Sequence, residues 1–109
     1  MHIGIDLGTT NTVLAYARRN RYGTVEPSVV KIMQLDEHNN SVREELLPSV
    51  LFYDFNKNIF IGKKAKYMKY YHPDRTISNS KRYIGTSMTF MIDDRQFTPV
   101  DVAAYILNV

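Results

Sequence analysis

One stretch constrains the fold of this chain more than any other: IGIDLGTTNTVLAY, residues 3–16. An apolar run reaches a lone carboxylate at Asp6, and a glycine and three small polar residues follow before the apolar residues resume. A strand over 2–7 and a return strand over 12–18, joined by a short polar turn, account for this pattern as a β-hairpin. The sequence therefore predicts a hairpin whose tip combines a carboxylate with exposed backbone.

The residue types at this tip suit a phosphate group. Gly8 has no Cβ, so a ligand can approach its backbone closely, and successive N–H groups of such a turn form a concavity that binds anions. Thr9, Thr10 and Asn11 add side-chain donors. Asp6 would repel a bare phosphate but would attract it through a hydrated Mg²⁺, which keeps its waters and takes few carboxylates. An ordinary hairpin turn uses the same residue types, so the residues alone leave both interpretations open.

The rest of the chain predicts more short strands followed by helices. We expect a third strand within 28–35 and a hairpin of 47–54 with 59–62. A helix should follow, with Ile61, Ala65, Met68 and His72 on one face, and Pro73 should end it. Beyond it we expect a loop with a helical turn over 74–85, a pair of strands over 89–97, and a helix that begins at Pro99. Thr98 is its expected N-cap, with Asp101 as the capping-box acid. Strands followed by helices predict a single α/β or α+β domain over 1–109.

Composition narrows the function classes. The chain has 109 residues, 44% of them hydrophobic, and no cysteine, which excludes disulfides and thiolate chemistry. The three histidines are scattered without metal-ligand spacing, so we expect no zinc site. No apolar run approaches the roughly 20 residues of a membrane span, and the first strand begins too early for a signal peptide, so we expect no membrane partner and a cytoplasmic location. The net charge of +3 permits anionic ligands but does not demand nucleic acid.

The basic segment KKAKYMKYYH, residues 63–72, has two interpretations. Lysines interleaved with tyrosines are typical of some nucleic-acid surfaces. The same spacing also gives an apolar face and a solvated lysine face, as in an ordinary surface helix. We favour the surface helix and expect no nucleic-acid partner.

Several segments resemble one protein family. IGIDLGTTNT (3–12) resembles the first phosphate motif of the actin-like ATPase superfamily. The segments LPSVLFYD (47–54), IGKKA (61–65), SKRYIG (80–85) and FTPVDVAAYIL (97–107) resemble, in order and spacing, the N-terminal part of the seventy-kilodalton heat-shock chaperones of the DnaK type. The resemblance implies an α/β lobe of the ribonuclease H-like, actin-like ATPase fold, a mixed sheet with an N-terminal phosphate-binding hairpin and flanking helices. It also implies that the chain is a fragment of that lobe.

The resemblance also assigns roles to residues. It implies that Asp6 holds Mg²⁺ through water, that Gly8, Thr9, Thr10 and Asn11 bind the phosphates of ATP or ADP, and that Lys81 reaches the terminal phosphate as a catalytic group. A lysine ammonium is a compact charge that can stabilise phosphoryl transfer. A solvated surface lysine is the alternative for Lys81, and for Arg82 we expect a structural or interlobe contact.

A larger protein of this family would hydrolyse ATP and couple the cycle to protein folding. The resemblance implies unfolded polypeptide, a J-domain co-chaperone and a nucleotide exchange factor as its partners. We expect the fragment alone to be inactive, because one lobe supplies only part of the cleft. A filament-forming, actin-like cell-shape protein and a sugar kinase of the same superfamily are the alternative functions.

The helix from Pro99 is apolar on two sides. One stripe consists of Val100, Ala103, Ala104 and Leu107, and the other of Val102, Tyr105, Ile106 and Val109. One lobe can cover one stripe, so the other should face water. We therefore expect self-association, most simply as a two-fold dimer through this helix or an unpaired sheet edge.

Overall fold

The computed structural model of the chain describes residues 2–19 and 21–108, apart from the side chains of His2, Arg18 and Pro27. Its elements are β1 (His2–Leu7), β2 (Asn11–Arg19), β3 (Val25–Val30), β4 (Ile32–Leu35), β5 (Ser41–Glu44), β6 (Leu47–Pro48), β7 (Val50–Tyr53), β8 (Ile59–Ile61), α1 (Lys63–Met68), β9 (Thr76–Ser78), β10 (Phe90–Ile92), β11 (Arg95–Phe97) and α2 (Pro99–Leu107). Two short 3₁₀ turns, Pro73–Arg75 and Ser80–Tyr83, flank β9.

The described strands form four small sheets rather than one mixed sheet. The first contains β1, β2, β3 and β6, with β2 bonded to the other three, and the second contains β8, β7 and β9 in that order. The pairs β4–β5 and β10–β11 are separate hairpins, and every one of these pairings is antiparallel. The expected α/β character is confirmed.

The N-terminal hairpin agrees with the prediction from the sequence. β1 pairs with β2 from His2 opposite Ala17 to Leu7 opposite Thr12, which leaves residues 8–11 at the tip. In the described part of the chain β2 is the sole partner of β1, so the other edge of β1 is open. Ile3 and Ile5 of β1 are correspondingly 70% and 54% exposed.

The main core lies between β7 and α2. Its buried side chains come from β6, β7, β9, the β10–β11 hairpin and α2: Leu47, Leu51, Tyr53, Ile77, Ile92, Phe97, Val102 and Ile106. A smaller cluster of Val50, Phe52 and Ala65 seats α1 on the other side of β7. Because β7 contributes to both clusters and directly follows β6, which pairs with Asn11 and Thr12, it fixes α1 and α2 relative to the tip of the β1–β2 hairpin.

Two strands occupy the region where one third strand was predicted. Residues 25–30 pair with β2, whereas residues 32–35 pair with β5 in a separate hairpin that the sequence did not predict. The polar loop between β4 and β5 is a tight turn. The Asp36 carboxylate accepts hydrogen bonds from the backbone N–H groups of Asn40 (2.9 Å) and His38 (2.8 Å), and these bonds, that from Asn40 foremost, lower the pKa of Asp36.

Helix α1 is shorter than the predicted helix over 61–72. Ile61 belongs to β8, where it pairs with Leu51, and Gly62 then reverses the chain at φ = 100°. The buried amide of Gln34 caps the new helix: its Oε1 accepts from the Lys63 N–H at 2.8 Å, and its Nε2 donates to the Leu46 carbonyl at 3.0 Å. The predicted end at Pro73 is thus wrong, since the helix proper ends at Met68 and Pro73 begins a 3₁₀ turn.

A buried arginine connects β7 to the segment beyond α1. Arg75 Nε donates to the Tyr53 carbonyl at 2.8 Å, and its guanidinium forms two bonds to the Asp93 carboxylate, at 3.0 and 2.8 Å. The bonds from Arg75 lower the pKa of Asp93, and those to Asp93 raise the pKa of Arg75. This contact holds the end of the 3₁₀ turn Pro73–Arg75, from which β9 leads toward Lys81.

The last third of the chain largely follows the predicted pattern. The strand pair expected over 89–97 is the β10–β11 hairpin, but β9 was not predicted within 74–85. The capping box at α2 is confirmed, because the Asp101 N–H donates to Thr98 Oγ1 at 3.0 Å and the Thr98 N–H donates to Asp101 Oδ2 at 2.9 Å. No helix in the described residues is long and apolar enough to cross a bilayer.

The two apolar stripes of α2 have different surroundings. Val102 and Ile106 are buried in the main core, and Tyr105 packs against it. Val100 and Leu107, from the other stripe, are 61% and 50% exposed. The expectation that one stripe faces water is therefore confirmed for the described residues; Val109 lies outside them.

Candidate functional site

The tip of the β1–β2 hairpin has a geometry that requires glycine. The Gly8 N–H donates to the Asn11 carbonyl at 3.0 Å and closes the turn. A Cβ at Gly8 would lie 2.5 Å from that same carbonyl oxygen, far inside van der Waals contact. The bare backbone at Gly8 is thus a condition of the turn itself, and Thr9 and Thr10 are carried at its tip.

Two buried hydroxyls anchor the turn from behind. Thr12 Oγ1 and Ser49 Oγ are 2.9 Å apart, and the two residues are only 3% and 4% exposed. The Ser49 N–H also donates to the Thr10 carbonyl at 2.9 Å. Together with the pairing of Asn11 opposite Pro48, these bonds fix the turn to the β6–β7 segment.

The structure brings Lys81 to this turn. Gly8, Thr9 and Ser49 line a narrow cleft of about 10 Å³ together with Ser80 and Lys81. Ser80 is buried, and Lys81 is the exposed second residue of the 3₁₀ turn Ser80–Tyr83. A space of this size holds about one water molecule. The cleft therefore shows that the lysine and the turn are neighbours, and an anion between them would rest at its mouth.

Asp6 stands as a single carboxylate on β1. It pairs opposite Val13, is exposed, and is not among the residues that line the cleft of Lys81. In residues 2–19 and 21–108 no group of three or more histidine or acidic side chains could enclose a metal ion. Asp6 is one exposed carboxylate beside a turn that has no room for a Cβ at Gly8. This arrangement fits a hydrated Mg²⁺ that would bridge to phosphate, since this ion retains its waters.

Arg82 takes no part in this cleft. Its side chain is exposed, its N–H donates to the Asn79 carbonyl at 3.2 Å, and in the described residues its guanidinium has no hydrogen-bond partner. Lys81 therefore borders the turn, whereas Arg82 does not.

Sequence reasoning missed the supporting hydroxyls. Ser49 follows a proline in an apolar segment and Ser80 precedes a lysine in a polar one, so neither has a periodic signal of burial. Both are nonetheless buried beside the hairpin tip, at 4% and 5% exposure.

A wider cavity lies elsewhere in the described residues. It measures about 600 Å³ between β11 and the second half of α2, where Arg95, Tyr105 and Leu107 are among its lining residues. None of the phosphate-binding, metal-binding or catalytic residues predicted from the sequence lines it. The hairpin tip is therefore a candidate site because of its residue types and not because of the size of a cavity.

Comparisons with known proteins agree with the motifs. The sequence profile described as "Hsp70 protein" matches residues 2–107. The chain is 37% identical over 106 residues to the "Chaperone protein DnaK" of Thermotoga maritima and of Thermotoga neapolitana, and 32% identical over 106 residues to that of Thermosipho africanus. Each alignment covers 97% of this chain and 16% of the relative, so the chain spans about a sixth of the length of these proteins.

The alternatives weighed from the sequence, a filament-forming protein and a sugar kinase, are not favoured by these matches. The family profile covers nearly the whole chain, and the motifs at the hairpin tip, at 47–54 and at 80–85 lie inside the match. This chain belongs to the Hsp70 family.

Proposed function

We propose that this chain is the N-terminal part of the nucleotide-binding lobe of a DnaK-type chaperone, with the actin-like ATPase fold. In this proposal the hairpin tip binds the phosphates of ATP or ADP together with Mg²⁺. One observation carries it: the glycine-dependent turn and Lys81 line the same cleft, although Gly8 and Lys81 are 73 positions apart in the sequence. Membership of the Hsp70 family supports the same interpretation.

Each residue has a distinct task in this proposal. The hydroxyls of Thr9 and Thr10 donate to phosphate oxygens, and the absence of a Cβ at Gly8 lets a phosphate approach the turn closely. The Gly8 N–H itself is bonded to the Asn11 carbonyl, and this bond holds the turn. Asp6 orients the waters of the Mg²⁺, which neutralises phosphate charge when bound. The Lys81 ammonium stabilises the charge that moves onto the phosphoryl oxygens as the terminal phosphate is transferred to water.

The chain alone should bind Mg-ATP weakly and should not turn it over. Phosphoryl transfer depends on charges positioned around the whole phosphate chain, and one wall of a cleft supplies only some of them. In a full-length chaperone we propose that ATP hydrolysis controls the binding of unfolded polypeptide, with a J-domain co-chaperone and a nucleotide exchange factor as partners and the cytoplasm as the location.

Two measurements test the function. Calorimetric titration of the chain with Mg-ATP should give a dissociation constant weaker than micromolar, and steady hydrolysis should be absent. In a full-length chaperone that carries this lobe, Lys81→Ala should slow single-turnover hydrolysis far more than it weakens ATP binding, because its charge matters most during transfer. Asp6→Ala should instead impair magnesium-dependent binding and hydrolysis together.

Arg82→Ala is the matched control, because it removes a neighbouring cation that does not line the cleft. It should leave hydrolysis nearly unchanged. A Lys81→Ala rate within about twofold of the wild-type rate, which corresponds to a barrier change of about 0.4 kcal/mol, would show that this lysine has no catalytic role.

We also propose that the isolated chain self-associates with a second copy of itself. The open edge of β1, with Ile3 and Ile5 exposed, and the stripe of α2 with Val100 and Leu107 exposed offer apolar surface without a partner in the described residues. Light scattering after size-exclusion chromatography at about 100 µM, above the micromolar constants that an interface of standard size reaches, should show a dimer. A strictly monomeric species would contradict the proposal.

A further inference from the structure

The turn at residues 8–11 borders a second cavity, which Lys81 does not line. This groove has a volume of about 310 Å³. Thr9 and Thr10 form one wall, and Lys66, Lys69 and Tyr70, in α1 and the turn that follows it, form another. No acidic residue is among those that line it, and Lys81 belongs to the separate cleft beside Gly8.

The lysines around α1 are not equivalent. Three of them donate to side chains of this chain: Lys63 to Glu44, Lys64 to Asn39 and Lys69 to Ser78. The ammonium of Lys66 has no hydrogen bond or ion pair with any other described residue. Lys66 lines the same groove as Thr9 and Thr10, so one of the two cations of this groove is without a side-chain partner.

A second groove on the other side of Lys66 provides an internal comparison. It measures about 390 Å³ and shares Lys66 and Tyr70 with the first, but Glu37 and Glu44 are among its lining residues. Two carboxylates make that groove unfavourable for an anion. Of the two grooves that Lys66 borders, the acid-free one is therefore the one whose charge suits an oxyanion.

We propose that Lys66, Lys69, Thr9 and Thr10 form a binding site for a phosphate oxyanion in this groove, which Lys81 does not line. Two ammonium groups supply the charge, and the two hydroxyls supply neutral donors. The hydrogen bond from Lys69 Nζ to Ser78 Oγ, at 3.1 Å, orients Lys69 along the groove. The occupant is either free inorganic phosphate or a phosphoryl group of the nucleotide, and only the second case rests on the proposed function.

The site differs from a set of solvated surface lysines in one measurable respect. General attraction of an anion to a basic surface treats exposed lysines alike, because water screens them all. In a specific site, the affinity for phosphate depends on Lys66 and Lys69 but not on Lys64. The Nζ of Lys64 lies 3.9 Å from the centre of the Phe60 ring and bonds to Asn39. Lys64→Gln is therefore the matched control, since it removes the same charge from the same helix.

The experiment uses the ¹⁵N-labelled chain titrated with inorganic phosphate at constant ionic strength, with chloride as the replaced anion. The backbone amide signals of Thr9, Thr10, Ser78 and Asn79 should shift together and saturate. Lys66→Gln should weaken this binding about tenfold, as expected for a charged hydrogen bond in a partly exposed groove, and Lys66→Arg should retain it. Lys64→Gln should change it less than about twofold.

Either of two results would overturn the inference: no saturable shift of these signals, or equal losses in Lys64→Gln and Lys66→Gln. Far-ultraviolet circular dichroism confirms that each variant is folded. A parallel titration with Mg-ATP, repeated on Lys81→Gln, separates the two proposals. Mg-ATP shifts that depend on Lys81 without a phosphate response in the groove would leave the proposed function standing and reject the second site. Phosphate binding in the groove with no response to Mg-ATP would support the second site and reject the proposed function.

Discussion

Replacing Gly8 by alanine tests whether the phosphate turn depends on bare backbone. The new Cβ would lie 2.5 Å from the Asn11 carbonyl oxygen, and 3.0 Å is the distance below which real Cβ atoms are essentially never found, so the two must separate by at least 0.5 Å. The obstacle is backbone, which cannot swing aside as the end of a flexible side chain can. That carbonyl also accepts the hydrogen bond from the Gly8 N–H that closes the turn.

The expected destabilisation combines two terms. Weakening the bond that closes the turn costs about 0.5–1.5 kcal/mol, and steric strain from an added methyl group in a tight site costs about 1–3 kcal/mol. Gly8→Ala should therefore lower the free energy of unfolding by about 2–4 kcal/mol, a large part of the roughly 5–15 kcal/mol typical of a domain. Because the same carbonyl fixes the tip, the variant should also lose its weak response to Mg-ATP.

Gly4→Ala is the matched control, since Gly4 lies in β1, the strand that leads into the turn, and has nothing within 4 Å of the position that a Cβ would occupy. It should leave stability unchanged or raise it by up to about 1 kcal/mol, because alanine restricts the unfolded chain. Equilibrium urea unfolding followed by circular dichroism measures both variants. If the two unfold with free energies within about 0.5 kcal/mol of each other, the turn accommodates a side chain and the steric argument for Gly8 is refuted.

Two further predictions concern the frame that holds the site. Val102→Ala should lower the free energy of unfolding by about 2–3 kcal/mol, because it leaves a cavity at a fully buried position. Val100 is 61% exposed on the same helix, so Val100→Ala should change the free energy of unfolding by less than about 0.5 kcal/mol in the same urea assay. The Arg75 contact lowers the pKa of Asp93 below the unfolded value of 3.8, so its stabilisation is present above that pH and is lost as pH falls through the folded pKa. The stability advantage of the wild type over Asp93→Asn should accordingly shrink in urea titrations at acidic pH, and a difference that stays constant down to strongly acidic pH would contradict this linkage.

The parts of the fold that the sequence predicted are those whose signals are local. The β1–β2 hairpin follows from an apolar run, a glycine turn and a return strand, and the capping box at Thr98 needs only three neighbouring residues. The start of α1 was misjudged because Ile61 fits either an apolar helical face or a strand. Its pairing with Leu51, ten residues away, decides the matter, and a helical period cannot reveal such a pairing.

The elements that escaped prediction depend on distant partners. β9 has three residues and exists because β7 offers it an open edge. β5 forms because the Asp36 turn returns the chain onto β4. At the site, the hairpin tip and Lys81 carried motifs, but the anchoring role of Ser49 depends on a hydroxyl 37 residues away at Thr12. Contacts of this kind leave no periodic trace in a single sequence.

The single amide of Gln34 determines where this region of the chain can change in length. It satisfies the first backbone N–H of α1 and the Leu46 carbonyl at once, so β4 must keep its register. A slip of one residue would turn the amide to the other face of its hairpin and leave both groups without a partner. Insertions are therefore confined to the turns that flank these strands. A peptide inserted between His38 and Asn39, which are both exposed, would replace the Asp36 turn and release Lys64 from Asn39, but it would leave Gln34 and its two backbone partners in place.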